Sequence, residues 1–424
     1  MWPFLKIALV FTAMLFGIRK KFGLARSILA GSVLLGFLFG FGPLSWGKAA
    51  ALALIDPDTI FLAVIVALIL ILSDLFETTG QAARLMEAMR GILTKPRLRL
   101  VFFPILIGLL PMPGGAVFSA PMVKNLSKDL DVTDVDRAVI NYWFRHIWEM
   151  GWPLYPGFLL SAALSGVPVA KLSLMACPAM VVCLLLGWRF LLRNKIETLS
   201  TFVEDSQLVV SSFSTRSVLS HAAPLLTAII GGIGLQAGIG FVDPAANAEI
   251  GIVVGLVASI VVCVRQNKVT TEQIANIFRK KHLYTMLGVI ASIFIFKDVM
   301  RQAGVVEAMS SSAGADVALW FTAIILPFIV GVVAGIALAY VGASLPLLLG
   351  LLQGLGMSSQ IPEYTILLLI CGFAGIMVSP IHICFLLTCQ YFNVEISNAW
   401  RRIAIPSMGL FVFGIVYFLL LRAL

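Results

Sequence analysis

The sequence predicts an all-α polytopic membrane protein, with about ten transmembrane spans plus two re-entrant helical hairpins in two inverted-topology repeats. Three observations predict it. The 424 residues are 60% hydrophobic and only 12% charged, with a mean hydropathy of +1.01, which is more apolar surface than a water-soluble core hides. Apolar runs of spanning length recur along the whole chain. Several of these runs are interrupted by Gly and Pro, in related places of the two halves.

The spans are read at 3–18, 27–46, 58–76, 137–165, 172–191, 219–239, 249–264, 283–300, 363–391 and 403–421. In the first, Arg19, Lys20 and Lys21 follow the apolar run, whereas a secretory signal carries its charge ahead of it, so this run is expected to stay as a span. Two further runs, 98–125 and 317–352, read as hairpins. Each half of such a run is about 11 to 18 residues, or roughly 17 to 27 Å of helix, against a hydrocarbon core about 30 Å thick.

The net charge of +9 lies in short clusters between apolar runs rather than in one patch, which argues against a nucleic-acid partner. On this layout the clusters Arg19 to Arg26, Arg84 to Arg99, Lys124 to Arg137, Arg189 to Arg216, Arg265 to Lys281 and Arg401 with Arg402 all fall on one side. Only Lys6, Lys48, Lys171, Arg301 and Arg422 fall on the other. The asymmetry puts the rich side in the cytoplasm and both termini outside, in a multi-pass protein of the plasma membrane. The six cysteines lie inside apolar runs without zinc or disulfide spacing and read as packing residues.

The polar, Ser- and Thr-rich segment 193–218 divides the chain into a first repeat, 1–192, and a second, 219–424. "SDLFETTG" sets Asp74 six residues before Gly80, and "KDVMRQAG" sets Asp298 six before Gly304. Asp74 to Pro121 is 47 residues and Asp298 to Pro346 is 48. Five spans per half is an odd number, so two such copies must be inverted in the bilayer.

A backbone broken inside hydrocarbon is tolerated only where protein or a wet cavity satisfies it, which makes the interruptions the site candidates. At "PMPGG" the first hairpin turns, and a helix restarting near Gly115 would offer its N-terminus to an anion, with Pro113 and Gly114 shaping the turn and Ser119 one turn on. The second tip is expected within Ala334 to Pro346, with Tyr340, Gly342 and Ser344 as its counterparts. "RHIWEMGWPLYPG" breaks the span 137–165 beside Arg145, His146 and Glu149, and "SPIH" breaks 363–391 at Pro380 and His382. Arg145 and Glu149, four apart, are spaced to pair on a helix. Lys297 with Asp298, and Asp74 with Glu77, are given structural roles, and His221 and His282 none.

These motifs resemble the ion transporter superfamily and, within it, integral membrane proteins related to gluconate permeases. The resemblance implies a homodimer whose outer spans form a scaffold, and a transport domain of hairpins and broken helices that moves as an elevator. It implies a small organic anion as substrate, mostly a carboxylate, coupled to H⁺ or Na⁺. The paired Ser-Asn-Thr signatures of the sodium-coupled dicarboxylate branch are absent from both tips, which favours H⁺. Resemblance and position together mark Pro113, Gly114, Gly115, Ser119, Ser344, Pro380 and His382 as site-forming, with Glu149 or His382 as proton carrier.

The expected function is therefore a secondary transporter of a sugar acid or monocarboxylate, with no metal or other cofactor. A polytopic enzyme acting on a lipid-linked substrate is the alternative, as is an exporter of an inorganic oxyanion. The enzyme reading has one candidate loop, "DLDVTDVD" from Asp129 to Asp136, and no H-E-x-x-H motif occurs.

Overall fold

A computed structural model of the chain describes residues 2–89, 96–112, 115–128, 130–192, 214–242, 249–312 and 314–423. Pro113 and Gly114 of the first tip, Asp129, and most of the connecting segment 193–218 lie outside the described residues.

Every element among the described residues is helical. The first half runs α1 (Trp2–Arg19), α2 (Leu24–Leu38), α3 (Pro43–Ile55), α4 (Pro57–Thr78), α5 (Gln81–Ala88), α6 (Pro96–Gly108), α7 (Ala116–Leu126), α8 (Asp134–His146), α9 (Pro156–Ser165) and α10 (Val169–Gly187). The second runs α11 (Thr215–Leu226), α12 (Gly232–Val242), α13 (Glu249–Asn267), α14 (Thr271–Phe278), α15 (Lys281–Gln302), α16 (Val305–Ser310) and α17 (Ala315–Trp320). It continues with α18 (Leu326–Ala334), α19 (Ala337–Gly354), α20 (Ile361–Met377), α21 (Ile383–Tyr391) and α22 (Ile396–Ala423). Single π-type turns extend α10 and join α11 to α12 and α17 to α18.

Among the described residues nine helices are long and apolar enough to cross a membrane: 57–78, 169–192, 215–242, 249–267, 281–302, 315–334, 337–354, 358–377 and 396–423. Large apolar side chains such as Leu5, Phe37, Leu174, Ile230, Val412 and Leu420 stand exposed on the outside. Water would not tolerate that surface, and lipid matches it. The chain is a multi-pass membrane protein.

Three boundaries differ from the sequence reading. The run 27–46 is not one span: α2 ends at Leu38, Gly40 takes a left-handed φ of +75°, and Pro43 opens α3. The second tip lies at the very start of its window. Gly335, at φ +67°, and Ile336 join α18 to α19, so that Tyr340, Gly342, Ser344 and Pro346 lie within α19. The first arm of that helix pair, 315–334, is also longer than expected at 20 residues, because α17 continues through its π turn into α18.

The helices gather in two groups. In one, α15 packs on α2, α3 and α4, and α13 on α4 and α12; in the other, α6 packs on α7 and α8, α18 on α19 and α20, α21 on α7 and α8, and α22 on α8, α10 and α20. The apolar stretch of α19 is 89% buried and that of α20 is 78% buried, against 17% for 215–242, so α19 and α20 are central and α11–α12 peripheral.

Close approach in the centre depends on small residues, as expected where lipid supplies no hydrophobic drive between helices. A Cβ on Gly331 of α18 would lie 2.4 Å from the Gly372 carbonyl oxygen of α20, and one on Gly375 would lie 2.2 Å from the Phe328 carbonyl oxygen. Gly331→Ala is expected to destabilise the protein by about 1–3 kcal/mol, the usual cost of overpacking. Gly234→Ala, where nothing lies within 4 Å of the added carbon, should leave thermal unfolding in detergent unchanged or raise its midpoint.

Candidate functional site

A cavity of about 270 Å³ lies where the helix interruptions meet. Its wall takes Pro111 and Met112 from the end of the α6–α7 connection, and Ile336, Ala337 and Leu338 from the start of α19. Arg145 and His146 come from the end of α8, Glu149 and Tyr155 from the break after it, Pro156 and Gly157 from the start of α9, and His382, Ile383 and Cys384 from the start of α21. Leu70 of α4 and His282 and Met286 of α15 close it from the other helix group.

The breaks satisfy one another. The last carbonyls of a helix have no partner within it, and those of α6 receive donors from the α8–α9 break. Trp148 Nε1 donates to the Ile105 carbonyl at 2.9 Å, Tyr155 Oη to Gly108 at 2.7 Å and Trp152 Nε1 to Leu109 at 3.1 Å. Arg145 Nη2 donates to the Met112 carbonyl at 2.5 Å. In the second half the break after α20 does the same for α18. Ser379 Oγ donates to the Val332 carbonyl at 2.7 Å, and His382 Nδ1 to Gly335 at 2.6 Å.

Arg145 is the buried charge at the centre. Thr133 and Asp136 form a capping box that starts α8, and Arg145 and His146 occupy its last turn, where positive charge suits the helix dipole. Its Nη1 donates to His146 Nε2 at 3.2 Å and approaches Cys384 Sγ at 3.6 Å. The Nε has no hydrogen-bond partner, and the guanidinium has no ion-pair partner among the described residues. The spacing-based pairing with Glu149 is thus not made, because the helix ends at His146 and Glu149 lies in the turn beyond it. Glu149 still faces the cavity, and its Oε2 is buried without a partner.

His146 and His382 meet across the two halves of the chain, Nε2 to Nε2, at 3.0 Å. With Cys384 they form a cluster whose nitrogen and sulfur atoms lie within 4.8 Å of one another. A guanidinium nitrogen already stands between His146 Nε2 and the Cys384 sulfur, so we read the cluster as a hydrogen-bonded one.

Of the other expected site residues, Gly115 abuts the site: a Cβ there would lie 2.6 Å from Arg145 Nη2. Its own N–H is engaged with the Met112 carbonyl at 3.1 Å. Ser119 is buried off the cavity, donating to Asn141 Oδ1 at 2.6 Å, and Asn141 Nδ2 in turn reaches Thr388 Oγ1 at 3.4 Å. Tyr340 packs on Gly372 and donates to the Leu369 carbonyl at 3.3 Å, Gly342 packs on Ile293, and Ser344 is buried without a partner. None of these three lines the cavity, because the second tip turns earlier than expected. Pro380 is exposed at the outside of its break.

Five residues were missed. His282, placed at a membrane interface by its position in the sequence, lines the cavity. Cys384, read as packing, touches Arg145. The role of Trp148, Trp152 and Tyr155 as donors to α6 had one available signal, three amphipathic aromatic side chains crowded into a proline-rich break. Asp74, expected to be capping or solvated, pairs with Lys280 at 2.8 Å, and Lys297 lies over the Phe294 ring at 4.5 Å. The described part of "DLDVTDVD" is the capping box of α8, with Asp134 paired to Arg137 at 2.7 Å and Asp136 to Arg402. These are structural uses.

Removing one of the break's donors should loosen the first tip without unfolding the chain. Tyr155→Phe leaves the Gly108 carbonyl with no side-chain donor, and is expected to cost about 1–3 kcal/mol. Hydrogen exchange followed by mass spectrometry should show faster exchange in Leu109 to Met112 and unchanged exchange in α22.

No curated protein matches the chain. A family profile described as "Protein of unknown function (DUF401)" matches residues 6–232 and 247–421, nearly the full length, and the chain accordingly belongs to the DUF401 family.

Proposed function

We propose that this protein is a secondary active transporter of a small organic anion, a carboxylate such as a sugar acid or monocarboxylate, working by proton-coupled alternating access in the plasma membrane. One observation carries the proposal: a buried guanidinium without a carboxylate partner shares its cavity with converging helix N-termini. The first residues of α9 (Pro156, Gly157), α19 (Ala337, Leu338) and α21 (Ile383, Cys384) line the cavity. Gly115, at the start of α7, lies against Arg145. Each helix N-terminus carries roughly half a positive charge, and such ends are sites for anions. Positive groups gathered in a low-dielectric interior repel one another unless negative charge joins them, and the one carboxylate lining the cavity among the described residues, Glu149, makes no ion pair with Arg145. The volume, below the roughly 300–1,000 Å³ of drug-sized sites, suits a small solute.

The inverted-repeat reading is supported by the spacing of contacts. Pro57, Thr78 and Gly80 are each 224 residues before Lys281, Gln302 and Gly304; α4 and α15 are both 22 residues long and are followed by these two left-handed glycines. The same offset carries the bond from Tyr155 to Gly108 onto the bond from Ser379 to Val332, each spanning 47 residues. On this reading α6–α7, with arms of 13 and 11 residues, is a re-entrant hairpin, and α17–α19 is its repeat-related helix pair, with arms of 20 and 18 residues that are long enough to cross. The two helix groups are then scaffold and transport domain of an elevator, assembled as a homodimer with both termini outside.

In proteoliposomes on a solid-supported membrane, gluconate, lactate, succinate and citrate are offered in turn, with and without a sodium gradient and at two pH values. A substrate-dependent response that follows pH and ignores sodium is expected, read as current for a polyvalent anion and as a change of internal pH for a monoanion carried with one proton. Arg145→Gln should weaken the response by about tenfold to a hundredfold in apparent affinity, the equivalent of roughly 1.5–3 kcal/mol for a hydrogen bond to a charged group. Absence of any anion response in folded wild-type protein refutes the proposal. The topology has a separate check: cysteines introduced at Lys128 and Met357 should react with an impermeant reagent from the inside and the outside respectively, and labelling from one side would remove the inverted repeat.

A further inference from the structure

We propose that His146 and His382 bind a single proton between them, carried on His382 Nε2 and shared with His146 Nε2, and that this pair is the proton site of the cavity. The coupling role rests on the transport reading, while the shared proton stands on geometry alone.

The tautomers follow from what surrounds each ring. His146 Nδ1 lies 2.5 Å from the Tyr142 carbonyl oxygen and His382 Nδ1 lies 2.6 Å from that of Gly335. A carbonyl only accepts, so both Nδ1 atoms carry hydrogen. In a neutral imidazole the other nitrogen is then a bare lone pair. Two such lone pairs face each other at 3.0 Å, which is a hydrogen-bond distance and a repulsive arrangement without a hydrogen. One Nε2 must be protonated. Arg145 fixes which, since a guanidinium has only donors and its Nη1 stands 3.2 Å from His146 Nε2. His146 Nε2 is therefore the acceptor, and His382 is the imidazolium, donating from both nitrogens.

The titratable and charged groups facing the pair are Arg145, Tyr142 and Glu149 from α8 and the turn after it, Tyr155 from the end of that break, Cys384 from α21 and His282 from α15. Arg145 and the imidazolium make two positive charges beside Glu149. An arriving carboxylate balances the remaining charge, so proton and anion favour each other's binding. Releasing the proton from His382 Nε2 into the cavity leaves two neutral rings with opposed lone pairs, a contact that pushes the α8 and α21 breaks apart. Each ring comes from a different half of the chain, so the proton holds the halves together at the site.

The test needs no substrate. The protein has four histidines, and ¹⁵N-histidine-labelled full-length protein in lipid can be followed by NMR from about pH 5 to 8, the range in which histidine changes charge. Expected are one imidazolium and one neutral Nδ1–H ring in mutual hydrogen bond, seen as an N–N coupling across it, and loss of that coupling in His146→Gln and His382→Gln, each verified as folded by size exclusion. Two neutral Nδ1–H rings throughout the range, or an Nδ1 without hydrogen on either, overturns the proposal without a variant being needed. Transport separates the two readings. An intact coupling in a protein that moves no anion keeps the shared proton and removes its coupling role. An anion current in His382→Gln with wild-type pH dependence also removes that role, while the transport reading survives.

Discussion

The structure depends on helix ends that are broken inside an apolar body and must still be satisfied. The final carbonyls of α6 and of the segment after it have no water to accept from, and Trp148, Trp152 and Tyr155 of the next break, with Arg145 at the end of α8, supply the donors. Ser379 and His382 do so for α18. Once that constraint is met, the other features follow from it. The breaks must lie beside the ends they satisfy, the helices leaving the breaks must start there, and their N-termini consequently surround one small space. Arg145 belongs to both arrangements, as donor to Met112 and as the cavity's unpaired positive charge.

Satisfying side chains are also what orient the chemistry. His382 can present Nε2 to the cavity because Gly335 holds Nδ1, and Gly335 can turn its carbonyl that way because its φ of +67° is open to glycine. A Cβ at Gly335 would come within 3.1 Å of the His382 backbone and of Ser379 Oγ. The turn, the break and the imidazole are therefore fixed as a unit, in the way outer hydrogen bonds fix the tautomer of a functional histidine.

The sequence made some of this legible. Runs of apolar residues located most spans, and the Gly and Pro clusters located both breaks and the interruption between α6 and α7, because these residues act on the backbone locally and independently of their neighbours. Arg145, His146, Glu149 and His382 stood out as ionisable groups in apolar surroundings, and all four line the cavity. Tyr340, Gly342 and Ser344 were marked by proximity to a turn whose position depends on one residue, Gly335, in a window also containing Gly342 and Pro346. Proline inside α19 does not end that helix, since packing on α20, α9 and α15 holds it. His282 and Cys384 act through tertiary approach alone, which no local pattern encodes.

The site is less symmetric than its frame. Positions 224 residues away from Arg145, His146 and His382 hold Leu369, Ile370 and Phe158, apolar residues buried in α20 and α9. On the repeat reading the two halves share one skeleton and divide the polar chemistry unequally, with Arg145 and His146 in one half and His382 in the other. A perfectly duplicated machine would present the same face to either compartment and have no intrinsic sense of direction. Here an exchange of roles between the halves would not reproduce the starting energy, so on the transport proposal the two extremes of the cycle would be inequivalent by construction, before any gradient is applied.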